Sequence, residues 1–335
     1  MKKFIIGIDV SKEKLDFCIK AQEVILDERV VENSSHAIKN SLKELSKTCK
    51  FSWDEVLICA EYTSQYTYPL CCVCVETGID LWLENPAQIK YRSGIERGKN
   101  DRLDARKIAA YALRFEDRVH LFSLPEKTIG SLKQMISERD MYMVDKAKYT
   151  AQLTDQKRFM DKKDWQKKSK RLEGLIEGLK DAMEEIEKEM DTLIKADQRL
   201  SRQRKLLCSI EGVGERTAIK MIVETNAFLD FDNPRKFCCH AGVAPFEYRS
   251  GSSIRSRCKV SKRADMSIKA LLHMAAMVAA TRMSGELHVY YLKKVAEGKS
   301  KMSVLNAVRA KLVHRMFAVI KNNILYEKNY ANPLA

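Results

Sequence analysis

Residues 4–20 read FIIGIDVSKEKLDFCIK, and this stretch decides the fold of the N-terminal part of the chain. Two apolar runs, 4–10 and 14–20, are separated by a short polar turn, and this pattern predicts two antiparallel strands. A third run, VILDERVVE at 24–32, extends the pair into a predicted three-stranded meander. Asp9 stands at the end of the first strand, so the sequence predicts a carboxylate at the edge of a sheet.

Predicted strands and helices alternate after the meander. Apolar periodicity and the Asn85-Pro86 break assign the elements. They are a polar helix at about 36–49, a buried strand at 56–61 (VLICAE), a helix through the cysteines, a strand at 79–84 and a helix at 101–115. This interleaving is typical of an α/β domain, which we assign to residues 1–122.

The middle of the chain, residues 123–204, has a helix-forming composition with a heptad pattern. The apolar positions that alternate at steps of four and three are Leu172, Ile176, Leu179, Met183, Ile186, Met190, Leu193 and Leu200. Such a pattern predicts a long coiled-coil segment, with a seam that joins protomers into a dimer or tetramer. The alternative is a helical hairpin within one chain, formed with residues 126–160. Residues 205–335 are expected to form a mostly α-helical domain.

Composition narrows the class of protein. The chain has 335 residues, 45% of them hydrophobic, and a net charge of +15. A basic chain favours polyanions, because neutralising phosphates releases counterions. No apolar run is long enough to span a membrane, and the basic N-terminus lacks a signal-peptide cleavage site. We therefore expect a cytoplasmic protein with no membrane partner. Its ten cysteines lack regular zinc-ligand spacing, so we interpret them as buried thiols.

Four acidic residues form the first candidate site. Asp9 and Glu61 each end an apolar strand, and Asp101 and Asp104 are neighbours on one helix face. Carboxylates that converge repel one another unless a cation neutralises them, and oxygen ligands favour Mg²⁺, with Mn²⁺ as an alternative. Bound metal of this kind supports phosphodiester cleavage. Taken singly, each acid could instead be a surface charge or a helix cap, and Asp101 is a candidate N-cap.

Two further candidate sites lie in the C-terminal part. Gly212 and Gly214 separate two predicted helices, where backbone N–H groups could bind a DNA phosphate or simply form a tight turn. The serine-rich turn Ser250-Gly251-Ser252-Ser253 begins a cationic segment that contains a single acid, Asp265. Its basic residues are Arg249, Arg255, Arg257, Lys259, Lys262, Arg263 and Lys269. The segment could bind phosphates, or a serine hydroxyl within it could attack phosphorus while arginines stabilise the charge.

Five blocks of sequence resemble the insertion-sequence transposases that have a DEDD-type, RuvC-like N-terminal domain and a serine-containing C-terminal transposase domain. They occur in the family's order and span nearly the whole chain. The blocks are GIDVSKEKLDF, AEYTSQY, KNDRLDARKIA, SIEGVGERTA, and AGVAPFEYRSG followed by VSKRADMSIKALL. One departure is Ala264, which follows Lys262-Arg263 where the family usually has glycine.

The resemblance implies a fold, a mechanism and partners. It implies an RNase H/RuvC-like mixed sheet for residues 1 to about 120, with the four acids as Mg²⁺ ligands. It also implies that Ser250 is the nucleophile that becomes linked to donor and target DNA, with Ser252 and Ser253 as neighbouring alternatives. The family works as homo-oligomers that combine a metal site and a serine from different protomers, and a structured bridge RNA guides it.

Three other functional classes would require different features of the sequence. A RuvC-like junction resolvase would need only the four acids and would form no covalent protein–DNA intermediate. A sugar kinase or actin-like ATPase would need later glycine-rich phosphate loops, which do not follow in this sequence. An inactive nucleic-acid-binding protein would not need a complete set of acids. The sequence therefore predicts a DNA transposase, with the resolvase as the alternative.

Overall fold

The structure is a computed structural model, and it describes residues 2–92, 100–124, 126–245, 249–250, 254–255, 260 and 264–327. For residues 249–250 and 254–255 it describes the backbone alone. The chain forms two compact units, Met1–Leu124 and Pro125–Ala335.

The first unit contains a five-stranded mixed sheet. Its elements are β1 (Phe4–Val10), β2 (Lys14–Ala21), β3 (Val24–Glu32), α1 (Ser35–Cys49), β4 (Val56–Glu61), α2 (Tyr68–Thr77), β5 (Asp80–Glu84), α3 (Pro86–Arg92) and α4 (Asp101–Arg114). The strand order is β3-β2-β1-β4-β5. The first three strands pair antiparallel, and β1 with β4 and β4 with β5 pair parallel. The predicted meander and α/β domain are confirmed.

Alternation along β1 buries both faces of the sheet. Ile6 and Ile8 pack in a core that includes side chains of α1 and α2. Ile5, on the other face, packs in a core with side chains of α4. The predicted helix through the cysteines is α2, whose Cys71 and Cys74 are buried. Of the nine free cysteines among the described residues, five are buried as predicted and four are partly exposed. The buried ones are Cys18, Cys59, Cys71, Cys74 and Cys238.

The second unit begins with two long helices. They are α5 (Lys127–Asp155) and α6 (Lys162–Ala196). A short connection joins them, they pack against each other, and Arg139 Nε donates to Glu187 Oε1 at 2.6 Å. The heptad residues Leu172, Met183 and Ile186 are buried in this hairpin. The heptad pattern thus serves packing within the chain. A coiled coil between protomers is not confirmed and stays a prediction.

The C-terminal part is almost entirely helical, as predicted. Its elements are α7 (Gln198–Cys208), α8 (Glu215–Glu224), α9 (Pro234–His240), β6 (Arg249–Ser250), β7 (Ile254–Arg255), α10 (Met266–Thr281), α11 (Glu286–Ala296) and α12 (Lys301–Asn322). One hydrophobic core contains side chains of these helices, of the N-terminal part of α5 and of the C-terminal part of α6. Within the described residues, no helix is both long and apolar enough to cross a membrane.

Candidate functional site

A row of four carboxylates crosses one end of the sheet. Asp9 on β1 pairs with Asp16 on β2, and Glu61 on β4 pairs with Glu84 on β5. The parallel register of β1 and β4 ends with Ile8 opposite Ala60, so Asp9 and Glu61 are the next positions along the two strands. Paired residues of neighbouring strands share a face, and the strands lie about 4.8 Å apart. The row therefore concentrates negative charge on one face of the sheet.

Gly7 lets α4 lie directly on this face of the sheet. A Cβ at Gly7 would be 2.3 Å from the Ala109 nitrogen and 2.4 Å from the Ala105 oxygen. Asp9 follows two residues later on the same face of β1, since side chains alternate along a strand. Asp101 precedes Ala105 by one helical turn, which places it at the N-terminal end of the same helix. The contact at Gly7 thus brings the first turn of α4 to the carboxylate row.

Asn100 is the residue that begins α4. Its side chain accepts a hydrogen bond from the Arg102 backbone nitrogen at 3.1 Å. The interpretation of Asp101 as an N-cap is therefore wrong, because Asn100 holds that position. Asp101 and Asp104 are instead the acidic residues of the first helical turn, where negative charge is favoured by the helix dipole.

The four predicted acids act on one another electrostatically. The pKa of Asp9 is raised from 3.8 to about 6, first because the side chain is desolvated by burial and then because of the charges of Glu61, Asp101, Asp104 and Asp16. A carboxylate whose ionised form is penalised in this way is stabilised by a cation. The donor set is all oxygen, which fits Mg²⁺ or Mn²⁺. Asp9, Glu61, Asp101 and Asp104 are the residues that could hold such an ion.

Two lysines neutralise part of the cluster. Lys14 Nζ lies 2.8 Å from Asp101 Oδ2 and 3.0 Å from Asp16 Oδ2. Lys107 Nζ lies 3.0 Å from Asp104 Oδ1. Sequence reasoning did not single out these lysines or Asp16. The signal was available, because a hairpin register that pairs Val10 with Leu15 necessarily sets Asp16 opposite Asp9.

Glu84 is the last carboxylate of the row, and both of its oxygens accept hydrogen bonds from the protein. One of its carboxylate oxygens accepts from the Tyr111 hydroxyl at 2.9 Å, and the other accepts from the Asn85 nitrogen at 2.7 Å. Tyr111 belongs to α4, so this bond ties the helix to β5. Glu84 therefore helps to fix α4 over the sheet, and its oxygens already have protein donors.

The backbone around Ser250 forms a short hairpin in the second unit. Arg249 pairs with Arg255 and Ser250 with Ile254 in an antiparallel register. The predicted residues Arg257, Lys259, Lys262 and Arg263, and the alternative nucleophiles Ser252 and Ser253, lie outside the described residues. Asp265 is the N-cap of α10, where its side chain accepts from the Ser267 and Ile268 nitrogens. Lys269 lies on α10.

The two glycines of the predicted phosphate-binding turn have different surroundings. Gly212 has φ +87°, and a Cβ there would be 2.5 Å from the Ala275 oxygen on α10. Glycine is thus required at position 212 for packing and for backbone conformation. Gly214 is the N-cap of α8 and has open space at its Cβ position, while Glu215 follows in the first turn. Phosphate binding at these glycines stays a prediction.

Two family models match this chain, and both describe transposases. Residues 6–159 match a transposase model of the DEDD, IS110 type. Residues 204–292 match the model described as transposase, IS116/IS110/IS902 family. The chain belongs to this transposase family. The first match contains the four acids of the candidate metal site, which we call the carboxylate site: Asp9, Glu61, Asp101 and Asp104. The second match contains Gly212, Gly214 and Ser250.

Relatives of this transposase are similar over their whole length. The pilin gene-inverting proteins of Moraxella bovis and Moraxella lacunata are each 22% identical to it, over 98% of this chain and 99% of theirs. Two solved structures of Thermus thermophilus RuvC, one of them in complex with a Holliday junction substrate, match 36% of this chain and 99% of theirs. Their identities are 15% and 16%, with TM-scores of 0.29 and 0.28.

Proposed function

We propose that this transposase cuts and rejoins DNA by a serine attack that depends on a divalent cation held by Asp9, Glu61, Asp101 and Asp104. The observation that carries the proposal is the convergence of these acids around Asp9, whose pKa is raised to about 6, first by burial and then by the charges of the neighbouring carboxylates. A structural ion-pair network would give each acid a basic partner. In this site Lys14 and Lys107 serve Asp101 and Asp104, whereas Asp9 has no ion-pair partner among the described residues.

The metal would lie among oxygen ligands alone, which suits Mg²⁺ and leaves Mn²⁺ as a substitute. When bound, it supplies positive charge that stabilises the oxygens of a phosphodiester during displacement. The chain contributes the geometry. The β1–β4 register places Asp9 beside Glu61, and Gly7 brings Asp101 and Asp104 to them.

Ser250 is the nucleophile that we propose. Its Oγ would form a bond to phosphorus while the bond from phosphorus to the deoxyribose oxygen breaks, and the leaving oxygen takes up a proton. A hydroxyl of the new DNA partner then displaces serine in the same way, so the number of phosphodiester bonds is conserved. Arg249 and Arg255 lie at paired register positions beside Ser250, and guanidinium groups stabilise developing negative charge on phosphate.

The partners we infer are duplex DNA and a structured guide RNA. The net charge of +15 supports a polyanionic partner, and the relatives are named for inverting a pilin gene. Inversion joins two DNA sites, so a homo-oligomer with a donor and a target duplex is the assembly we propose. Guidance by a bridge RNA and a place in the bacterial or archaeal cytoplasm rest on the family resemblance. Gly212, Gly214 and the cationic residues after Ser250 are the additional nucleic-acid contacts we propose.

A trapping experiment tests the nucleophile. Full-length protein, guide RNA and Mg²⁺ are mixed with a donor duplex that carries a nick near the cleavage point, so that the released fragment diffuses away. We expect the wild type to accumulate a covalent protein–DNA adduct and Ser250→Ala to form none. Ser252→Ala and Ser253→Ala are matched controls that should retain the adduct. An adduct in Ser250→Ala would overturn the assignment of the serine.

The same experiment separates the recombinase from a resolvase that uses the acids alone. Asp9→Asn should lower adduct formation by at least about 100-fold, because loss of even an outer-shell partner of a metal costs about 10–100-fold. Cleavage by the wild type without any adduct, but still dependent on Asp9, would favour the resolvase. Normal cleavage by Asp9→Asn would refute the metal site.

A further inference from the structure

A second group of potential metal ligands lies in the C-terminal unit, where three helix ends meet. Glu224 is the last residue of α8, His240 is the last residue of α9, and Asp265 is the N-cap of α10. One ligand atom of each side chain lies within 4.8 Å of those of the other two. None of these residues belongs to the carboxylate site of the sheet, and none has a role in the proposed strand transfer.

Contacts with other groups orient both carboxylates. Lys220 Nζ lies 2.9 Å from Glu224 Oε1, while His240 Nε2 lies 4.0 Å from Glu224 Oε2. Asp265 Oδ1 accepts from the Ser267 and Ile268 nitrogens at 2.8 and 3.1 Å, and the structure gives these bonds to Oδ1 alone. Carboxylates that ligate metals are held in this manner by hydrogen bonds to their other oxygen.

The surroundings of the group hold its imidazole close to the two carboxylates. The rings of Phe231 and Phe237 flank His240 at 5.5 and 5.8 Å between centroids, which limits the orientations of the imidazole. The Glu224 side chain is 15% exposed and that of His240 is 42% exposed, so the group opens to solvent on one side.

We propose that Glu224, His240 and Asp265 form a second divalent-metal site, specific for a transition-metal ion such as Zn²⁺. One imidazole and two carboxylates suit zinc better than Mg²⁺, because a nitrogen ligand is soft for magnesium. Zinc commonly takes three protein ligands and one solvent molecule at a half-open site. The ligand atoms must close in by roughly 1 Å to reach zinc bond lengths of about 2.0–2.2 Å.

The position of the site gives it a role distinct from that of the carboxylate site. The Asp265 backbone nitrogen donates to the His240 backbone oxygen at 3.2 Å. The two ends of the segment from His240 to Asp265 therefore lie side by side. This segment contains the paired strands β6 and β7, with Ser250 in β6. A metal bound by His240 and Asp265 therefore clamps the two ends of the serine segment, and metal binding adds to the stability of this part of the fold.

Cobalt substitution is the direct test. Full-length protein carrying Asp9→Asn and Asp104→Asn, which weaken the sheet site, is titrated with Co²⁺ and followed by visible absorption, with Zn²⁺ as competitor. We expect one tight equivalent with a ligand-field band that Zn²⁺ abolishes. His240→Gln should weaken binding by at least about 100-fold, beyond the effect of losing an outer-shell partner. His314→Gln, at an exposed position of α12, is the matched control and should bind like the parent.

Asp265→Asn distinguishes the loss of a metal ligand from the loss of folding. Asparagine caps helices as well as aspartate does, so this variant keeps α10 intact while it removes an anionic ligand. Weaker cobalt binding at an unchanged melting temperature of the metal-free protein supports the site. Cobalt binding that is absent in the parent, or that is unaffected by both His240→Gln and Asp265→Asn, overturns it. Neither outcome depends on whether Ser250 attacks DNA, so the proposed strand transfer is tested separately.

Discussion

Asp9 differs from its neighbours in how its charge is balanced. Asp101 and Asp16 share Lys14, and Asp104 has Lys107. Asp9 is half-buried at the centre of the row and has no hydrogen-bond or ion-pair partner in the described part of the chain. An unpaired buried carboxylate opposes folding when it is ionised. The proposed role of Asp9 as a metal ligand therefore conflicts with the stability of the metal-free fold.

This conflict predicts a pH-dependent gain in stability for Asp9→Asn. The pKa of Asp9 in the folded protein is about 6, above the ordinary aspartate value of 3.8. The folded protein therefore holds the proton more tightly, and wild-type stability falls as pH rises between these two values. Below about pH 4 the substitution should change little, and above about pH 6 it should stabilise by about 1–2 kcal/mol after allowance for solvent screening. Urea unfolding at a series of pH values with chelator present measures this difference.

Magnesium should remove the advantage of the variant. Bound metal stabilises the wild type by mass action, and Asp9→Asn lacks one ligand, so the two stabilities should converge or reverse when Mg²⁺ is added at pH 7.5. Asp117→Asn, whose parent side chain is 74% exposed, is the control and should show no dependence on pH or metal. Asp9→Asn and wild type could instead differ in stability by the same amount at pH 4 and pH 8. That result would contradict a raised pKa of Asp9 in the folded protein.

At the scale of elements, the contact between β1 and α4 builds the carboxylate site. Gly7 faces the backbone of α4, and those atoms cannot move aside as a flexible side chain could. Gly7→Ala should therefore displace α4, destabilise the protein by about 1–3 kcal/mol as overpacking does, and weaken divalent-metal binding in the folded fraction. Calorimetric Mn²⁺ titration beside thermal unfolding separates the two effects.

Gly130→Ala is the matched control for that substitution. Gly130 lies within α5, and a Cβ there meets nothing within 4 Å. Alanine in a helix interior is favoured over glycine by about 0.5–1 kcal/mol, so this variant should be as stable as the wild type or more so, with unchanged Mn²⁺ affinity. Equal Mn²⁺ affinities in Gly7→Ala and Gly130→Ala would show that α4 can shift without disturbing the acids.

The elements differ in how far the sequence predicts them. Strands β1 to β5 and helix α4 follow from local periodicity, and acids at strand ends meet because parallel neighbours align their carboxyl ends. The heptad pattern of α6 was ambiguous, since periodicity reports that a helix face is buried and does not report which partner covers it. The Glu224–His240–Asp265 group was not predicted, because its members are separated in sequence and meet only through the packing of α8, α9 and α10. The Asn100 cap shows that helix boundaries shift by one residue easily.

At the scale of the whole molecule, the two halves of the proposed chemistry belong to different compact units. The four acids lie in the unit that ends at Leu124, and Ser250 lies in the unit that begins at Pro125. Each unit has its own hydrophobic core, so a substitution in one site should leave the other site folded. This separation allows a metal site and a serine to act together either within one protomer or between two.

Mixing two inactive variants distinguishes these arrangements. Asp9→Asn and Ser250→Ala are each purified, dissociated, combined in equal amounts and reassembled with guide RNA, and covalent adduct on nicked donor DNA is measured. If metal and serine come from different protomers, a mixed dimer keeps one complete site, and random assembly should restore about a quarter of wild-type adduct. If both come from one protomer, every site lacks one component and no adduct forms. We expect adduct formation to be restored. The DNA should be attached to the Asp9→Asn protomer, because that protomer still carries the serine. Adduct on the Ser250→Ala protomer would contradict both arrangements.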